Sequence, residues 1–78
     1  MVEKVKLIWD FYGGHAKGTA DHHCIHLDEY ATKQNFEAFE TGTEEVNEMH
    51  VLAFIILDKA HMISVRDALR PHRAEVAS

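Results

Sequence analysis

The chain has 78 residues, a formal charge of −5 and one cysteine, and none of its apolar runs approaches the roughly 18–20 residues that span a bilayer. A chain of this size is one domain that buries only about 60% of its unfolded surface on folding. A staple is therefore expected, and the lone Cys24 excludes an intramolecular disulfide, which leaves a metal or oligomerisation. The eight basic residues are scattered, against the concentrated basic face of a nucleic-acid binder; only Arg66, Arg70 and Arg73 are local neighbours, and they read as a solvated helix face. An unpaired thiol and the charged opening MVEKVKLIWDF, which is no signal peptide, point to a reducing cytoplasm.

Residues Val5 to Tyr12, VKLIWDFY, read as a first strand. Val5, Leu7, Trp9 and Phe11 form its core face, and Lys6, Ile8, Asp10 and Tyr12 a half-apolar opposite face. Gly13 to Gly18 read as loop. Thr19 is a plausible N-cap, with Asp21 in the first turn, for a helix whose apolar stripe is Ala20, Cys24, Leu27 and Ala31 and whose stop is Asn35. His23 and Tyr30 flank that stripe; His22, His26, Glu29 and Lys33 lie opposite, facing water.

Phe36 to Gly42 read as a second strand of mixed faces, suited to a sheet edge, and TEEVNE as a turn or irregular continuation. His50 to Leu57, HVLAFIIL, is apolar at seven consecutive positions. Such a run has no wet face, so both of its faces need cover. Asp58 caps a second helix over roughly 59–69, with Met62, Val65 and Leu69 on the buried stripe and Pro71 restricting Arg70 to end it. The tail HRAEVAS is long enough for one short edge strand.

Strand–helix–strand–strand–helix–strand is the split βαβ order of the ferredoxin-like α+β fold: residues 1–78 form one four-stranded antiparallel sheet, order 4-1-3-2, with two helices on one face. The two most apolar strands are the first and third, which that topology makes central. Two helices cover one face only, so a homodimer is expected in which open faces, or the edges beside them, bury each other.

The WDFYG opening (Trp9 to Gly13), the helical HHxxHL segment (His22 to Leu27) and the terminal VRDALRPHR (Val65 to Arg73) resemble a small bacterial family of ferredoxin-like domains, from which no active-site residues carry over. At fold level the chain is also similar to the dimeric α+β barrel group. That similarity implies two units paired through their open faces, and in some members monooxygenase, isomerase or lyase activity.

Four constellations bear on chemistry. His22 and His26 are spaced i, i+4 and Glu29 follows three residues on, so the three share a helix face on which a divalent ion could sit; the alternative is the wet side of an amphipathic helix. No HExxH motif is present, and no four-ligand set for structural zinc. Cys24 beside His23 and His26 suggests a thiol–imidazole pair, but sequence neighbours on a helix do not face each other, and a structural thiol is the better reading. GGHAKGT fails the phosphate-loop pattern because no lysine follows Gly18; what survives is that Lys17, Gly18 and Thr19 at a helix N-terminus could hold an anion, and tight-turn glycines explain the segment as well.

Asp10 is the most informative single residue. A carboxylate between Ile8 and Tyr12 on a covered face has its pKa raised and can act as acid or base. His50 could share its face, which gives Asp10, Tyr12 and His50 as candidate catalytic residues. Three functions stay open: a dimerising binding or assembly module, a cofactor-independent enzyme with an acid–base pocket for a small-molecule ligand, and a divalent-metal-binding protein. No cofactor is implied, and neither nucleic acid nor membrane is an expected partner.

Overall fold

A computed structural model describes residues 3–77. Its elements are β1 (Lys4–Tyr12), α1 (Ala16–Lys33), β2 (Glu40–Asn47), β3 (His50–Asp58), α2 (Lys59–Leu69) and β4 (Arg73–Ala77). The sheet order is β2-β3-β1-β4, with every neighbouring pair antiparallel. This is the ferredoxin-like α+β topology that the element order predicts.

The two apolar strands lie side by side at the centre, in register from Lys4 opposite Asp58 to Tyr12 opposite His50. Side chains alternate between faces along a strand. Val5, Leu7 and Trp9 of β1 therefore join Val51, Ala53, Ile55 and Leu57 of β3 beneath Ala16, Ala20, Leu27 and Val65 of the helices. Trp9 spans this layer and donates its indole N–H to the Leu69 carbonyl at 2.9 Å, which ties the end of α2 to the sheet.

The opposite face carries a smaller cluster of Ile8, Leu52 and Phe54, with Ile56 half-buried beside it. Among the described residues no second layer lies over it, yet Ile8 is 1% exposed, Leu52 3% and Phe54 8%. Long charged side chains from flanking positions do the covering, their stems lying on apolar surface and their heads in water. Lys6 places its ammonium 4.5 Å from the Phe54 ring centre. Phe54 in turn fills the space left by Gly42, where an added Cβ would come 3.1 Å from the ring. Arg73, opposite Ile8 on β4, flanks the same cluster.

Three boundaries differ from the sequence reading. Helix α1 starts at Ala16, not after Thr19, so Lys17, Gly18 and Thr19 lie in its first turns rather than in an anion-holding loop. The i, i+4 burial of Ala16 and Ala20 extends the stripe one turn earlier. Gly13, at φ 105, reverses the chain before it and donates its N–H to the Met49 carbonyl. Thr19 turns its hydroxyl back to the His15 carbonyl, and Asp21 pairs with Lys17 at 3.2 Å instead of serving the helix start.

Strand β2 starts four residues later than Phe36 and runs through the acidic TEEV segment. Phe36 and Ala38 fold back onto the helix-side core, Phe36 stacking on His61 at 4.7 Å, and this holds the preceding residues out of the ladder. The other terminators behave as read. Asn35 takes a positive φ of 64, the left-handed turn that closes a helix end, and the Phe36 N–H reaches back to the Ala31 carbonyl. Asp58 accepts from the Ala60 N–H at 2.9 Å as the cap of α2, and Arg70, at φ 49, ends that helix before Pro71.

Because the Asp58 side chain satisfies an otherwise unpaired donor at the start of α2, Asp58→Ala is expected to cost about 1 kcal/mol. A lowered urea midpoint with an unchanged slope is the measurement that checks it.

Candidate functional site

The alternation of β1 puts Asp10 and Tyr12 on the open sheet face, and the β1–β3 register puts His50 directly opposite Tyr12. All three predicted residues therefore meet. His50 Nε2 donates to Asp10 Oδ1 at 2.7 Å, and the His50 ring stacks on Tyr12 with centroids 4.4 Å apart and planes 22° from parallel. The Asp10 side chain is only 9% exposed and that of His50 16%, whereas Tyr12 is 72% exposed.

Arg73 completes the group. Its Nε donates to Asp10 Oδ2 at 2.9 Å and its Nη2 to Oδ1 at 3.1 Å, a two-point fork; Nη1 reaches Glu75 at 3.2 Å. Paired planar forks of this kind are the strongest side-chain ion pairs. The backbone N–H of Asp10 donates to His72 Nδ1 at 2.8 Å, while the His72 N–H donates to the Ile8 carbonyl. An imidazole nitrogen thus stands where β4 would otherwise supply a carbonyl, and His72 Nδ1 must be unprotonated to accept.

The direction expected for the Asp10 pKa is reversed. The Arg73 fork holds its carboxyl down at about 2, against the opposing pull of burial, with the His50 bond adding to the lowering. Asp10 is a carboxylate at any ordinary pH and a poor proton acceptor. Arg73 was read from sequence as part of a solvated helix face. The signal that could have found it is strand parity, since Arg73 and Glu75 alternate onto the open face once β4 pairs with β1.

The first helix distributes its polar residues as the stripe predicts, but His22, His26 and Glu29 do not converge on one point. His26 Nε2 lies 3.0 Å from His22 Nε2, whereas Glu29 sits at the other ring nitrogen, 3.4 Å from His26 Nδ1. Among the described residues, no three His, Cys, Asp or Glu side chains form a metal-holding group. Cys24 is half-buried, and burial raises its thiol above the usual range, away from a reactive thiolate.

His23 points inward against Trp9 at 4.8 Å and Phe11 at 5.6 Å between ring centres. Its Nε2 is buried without a hydrogen-bond partner, and burial pushes its pKa down.

None of the five best-formed clefts of the described residues is lined by Asp10, Tyr12 or His50. An apolar cleft of about 420 Å³ lies instead between α2 and β4, lined by Val5, Met62, Ala74 and Val76 among others. Val76 is 90% exposed there. No helix is long and apolar enough to cross a membrane.

No protein-family model matches the chain, and no similar curated protein or solved structure was found. The resemblances to a small bacterial family and to the dimeric α+β barrel group are therefore corrected: the topology is ferredoxin-like, but the sheet is open, with free edges at β2 and β4.

Two outcomes follow for stability. The folded Asp10 value of about 2 lies below the reference 3.8, so the contribution is whole above pH 4 and is lost as pH falls towards 2, worth about 2 kcal/mol. Arg73→Gln is expected to lower stability at neutral pH and to flatten the acid limb of the stability–pH curve, because Asp10 then no longer titrates below its unfolded value; Glu75→Gln, at an exposed site, is expected to do neither. His23→Leu, which removes a buried polar atom without a partner, is expected to stabilise by about 1 kcal/mol. Urea denaturation at neutral pH reads that change.

Proposed function

We propose that this domain is an interaction module that assembles with a second copy of itself through the β4 edge and the cleft between β4 and α2. The observation that carries this reading is the exposure of Val76, at 90%, beside an apolar cleft on an edge strand of the sheet. An exposed edge is a template for strand addition unless something guards it.

The two edges are not alike. β2 carries Glu40, Glu44 and Glu45, with Glu48 just beyond, and repels its own kind. β4, RAEVA, balances one Arg against one Glu. In an antiparallel pair of β4 strands with Ala74 on the two-fold axis, Arg73 faces the partner's Glu75 and Glu75 faces the partner's Arg73. Moving the axis by one residue in either direction sets Arg opposite Arg or Glu opposite Glu. Charge thus selects one register. The helices of both copies then lie on the same side, and the two apolar clefts flank the seam.

A small-molecule enzyme working through Asp10 has less support, because that carboxylate is committed to Arg73. Five edge residues bury far less than the about 1,600 Å² of a standard interface, so association in the micromolar range is expected. Sedimentation equilibrium at high micromolar concentration should show a dimer. Val76→Asp and Glu75→Arg should each weaken it about tenfold or more with unchanged circular dichroism, since each places a charge against apolar surface or against a like charge. A wild-type monomer at that concentration, or a dimer indifferent to both substitutions, would overturn the proposal.

A further inference from the structure

The seven histidines divide by what their nitrogens do. His50 Nε2 is bound to Asp10 and His72 Nδ1 to the Asp10 amide. His23 Nε2 is buried. His61 is stacked on Phe36, and His15 precedes α1 without a side-chain cap bond. Only His22 and His26 bring exposed ring nitrogens together, at 3.0 Å across one turn of α1 with the rings nearly perpendicular at 86°.

We propose that His22 and His26 form a two-imidazole clamp for a late first-row divalent cation, with Glu29 as the positioning carboxylate behind His26. Metal–imidazole bonds are about 2.0–2.1 Å long, so two of them at a right angle hold their nitrogens about 2.9 Å apart, and at a tetrahedral angle about 3.4 Å apart. The observed 3.0 Å falls within that range, so the helix already sets the bite. The i, i+4 spacing is the one by which two histidines on a helix share an ion.

Two imidazole nitrogens this close cannot both present bare lone pairs to each other, so one carries a proton between them. A cation takes the place of that proton: two nitrogen–metal bonds form, and the displaced proton moves by way of solvent to the free Nδ1 of His22, so both imidazoles stay neutral donors. Glu29, 3.4 Å from His26 Nδ1, favours the tautomer protonated there and leaves His26 Nε2 free to bind. The side chains of His26 and Glu29 are 57% and 68% exposed, so a hydrated ion reaches the site and keeps water in its remaining positions.

Imidazole donors select Cu²⁺, Ni²⁺ and Zn²⁺ over Mg²⁺ and Ca²⁺, with Cu²⁺ the tightest. Two ligands make a weaker site than a closed four-ligand centre, so its loading follows the free-ion concentration, and the fold does not depend on it.

Calorimetric titration of the protein with Zn²⁺, and then with Ni²⁺ and Cu²⁺, in a buffer free of chelators tests this. One equivalent should bind, with Mg²⁺ giving no signal. His22→Ala and His26→Ala should each lower the affinity at least tenfold, and Glu29→Gln by up to about tenfold. His15→Ala and His61→Ala should leave it unchanged. All five positions are exposed, so circular dichroism should report an intact fold in every variant. In an NMR-monitored titration the imidazole resonances of His22 and His26 should move first, with His26 retaining its proton on Nδ1. Absence of a one-equivalent event in the wild type, or equal loss on replacing His15 or His61, would overturn the clamp.

Discussion

Nine consecutive residue pairs join β1 to β3, and every other feature of the molecule is placed by that ladder. Both strands are apolar on the helix side and partly apolar on the other, so each gains by having a strand on both flanks rather than sitting at an edge. Once they pair, β2 and β4 are forced outward and the helices onto the face that holds Trp9. A one-residue slip of β1 against β3 would send Leu7 and Trp9 to the open face and Asp10 into the helix-side core, where a lone carboxylate has no partner. Register and the burial of Asp10 are therefore one constraint seen from two sides.

The open face shows how a small domain finishes a sheet without a second layer. Ile8, Leu52 and Phe54 are drier than their lack of a covering element suggests, because Lys6 and Arg73 lie along their rows. Arg73 serves twice: it stands opposite Ile8, and its guanidinium neutralises the carboxylate one pleat away. The fork fixes Asp10 as an anion. An acid–base group needs a carboxylate that is desolvated and not matched by a full positive charge; here the Arg73 charge stands against Asp10 and lowers its pKa.

The architecture was legible because its signals are local and redundant. A continuous apolar run, an Asp cap, an Asn stop and a Pro after the second helix each act within a few residues, and their order then determines the topology. The meeting of Asp10, Tyr12 and His50 was legible for the same reason, from strand parity. What escaped was non-local. Nothing near Asp10 in the sequence announces Arg73, 63 positions away, and without it burial alone predicts a pKa shift of the wrong sign. The start of β2 escaped because Phe36 has the residue type of a strand but the position of a loop plug: packing against His61 and the core outweighed its propensity. Glu29 fell on the predicted helix face, yet sequence spacing could not say which ring nitrogen of His26 it would meet.

The pairing of the first strand with the last also sets an order of events. β1 meets β3 only after α1 and β2 have been made, and it meets β4 only after the five later elements have all been made. During synthesis, which delivers residues in sequence, β1 spends almost the entire time with its β4 flank bare and Asp10 without its arginine. Contacts of such long sequence separation are slow to form. The nascent domain thus passes through a stage in which a strand holding Leu7, Ile8 and Trp9 is unprotected on one edge, and closing that stage falls to five residues, Arg73 to Ala77.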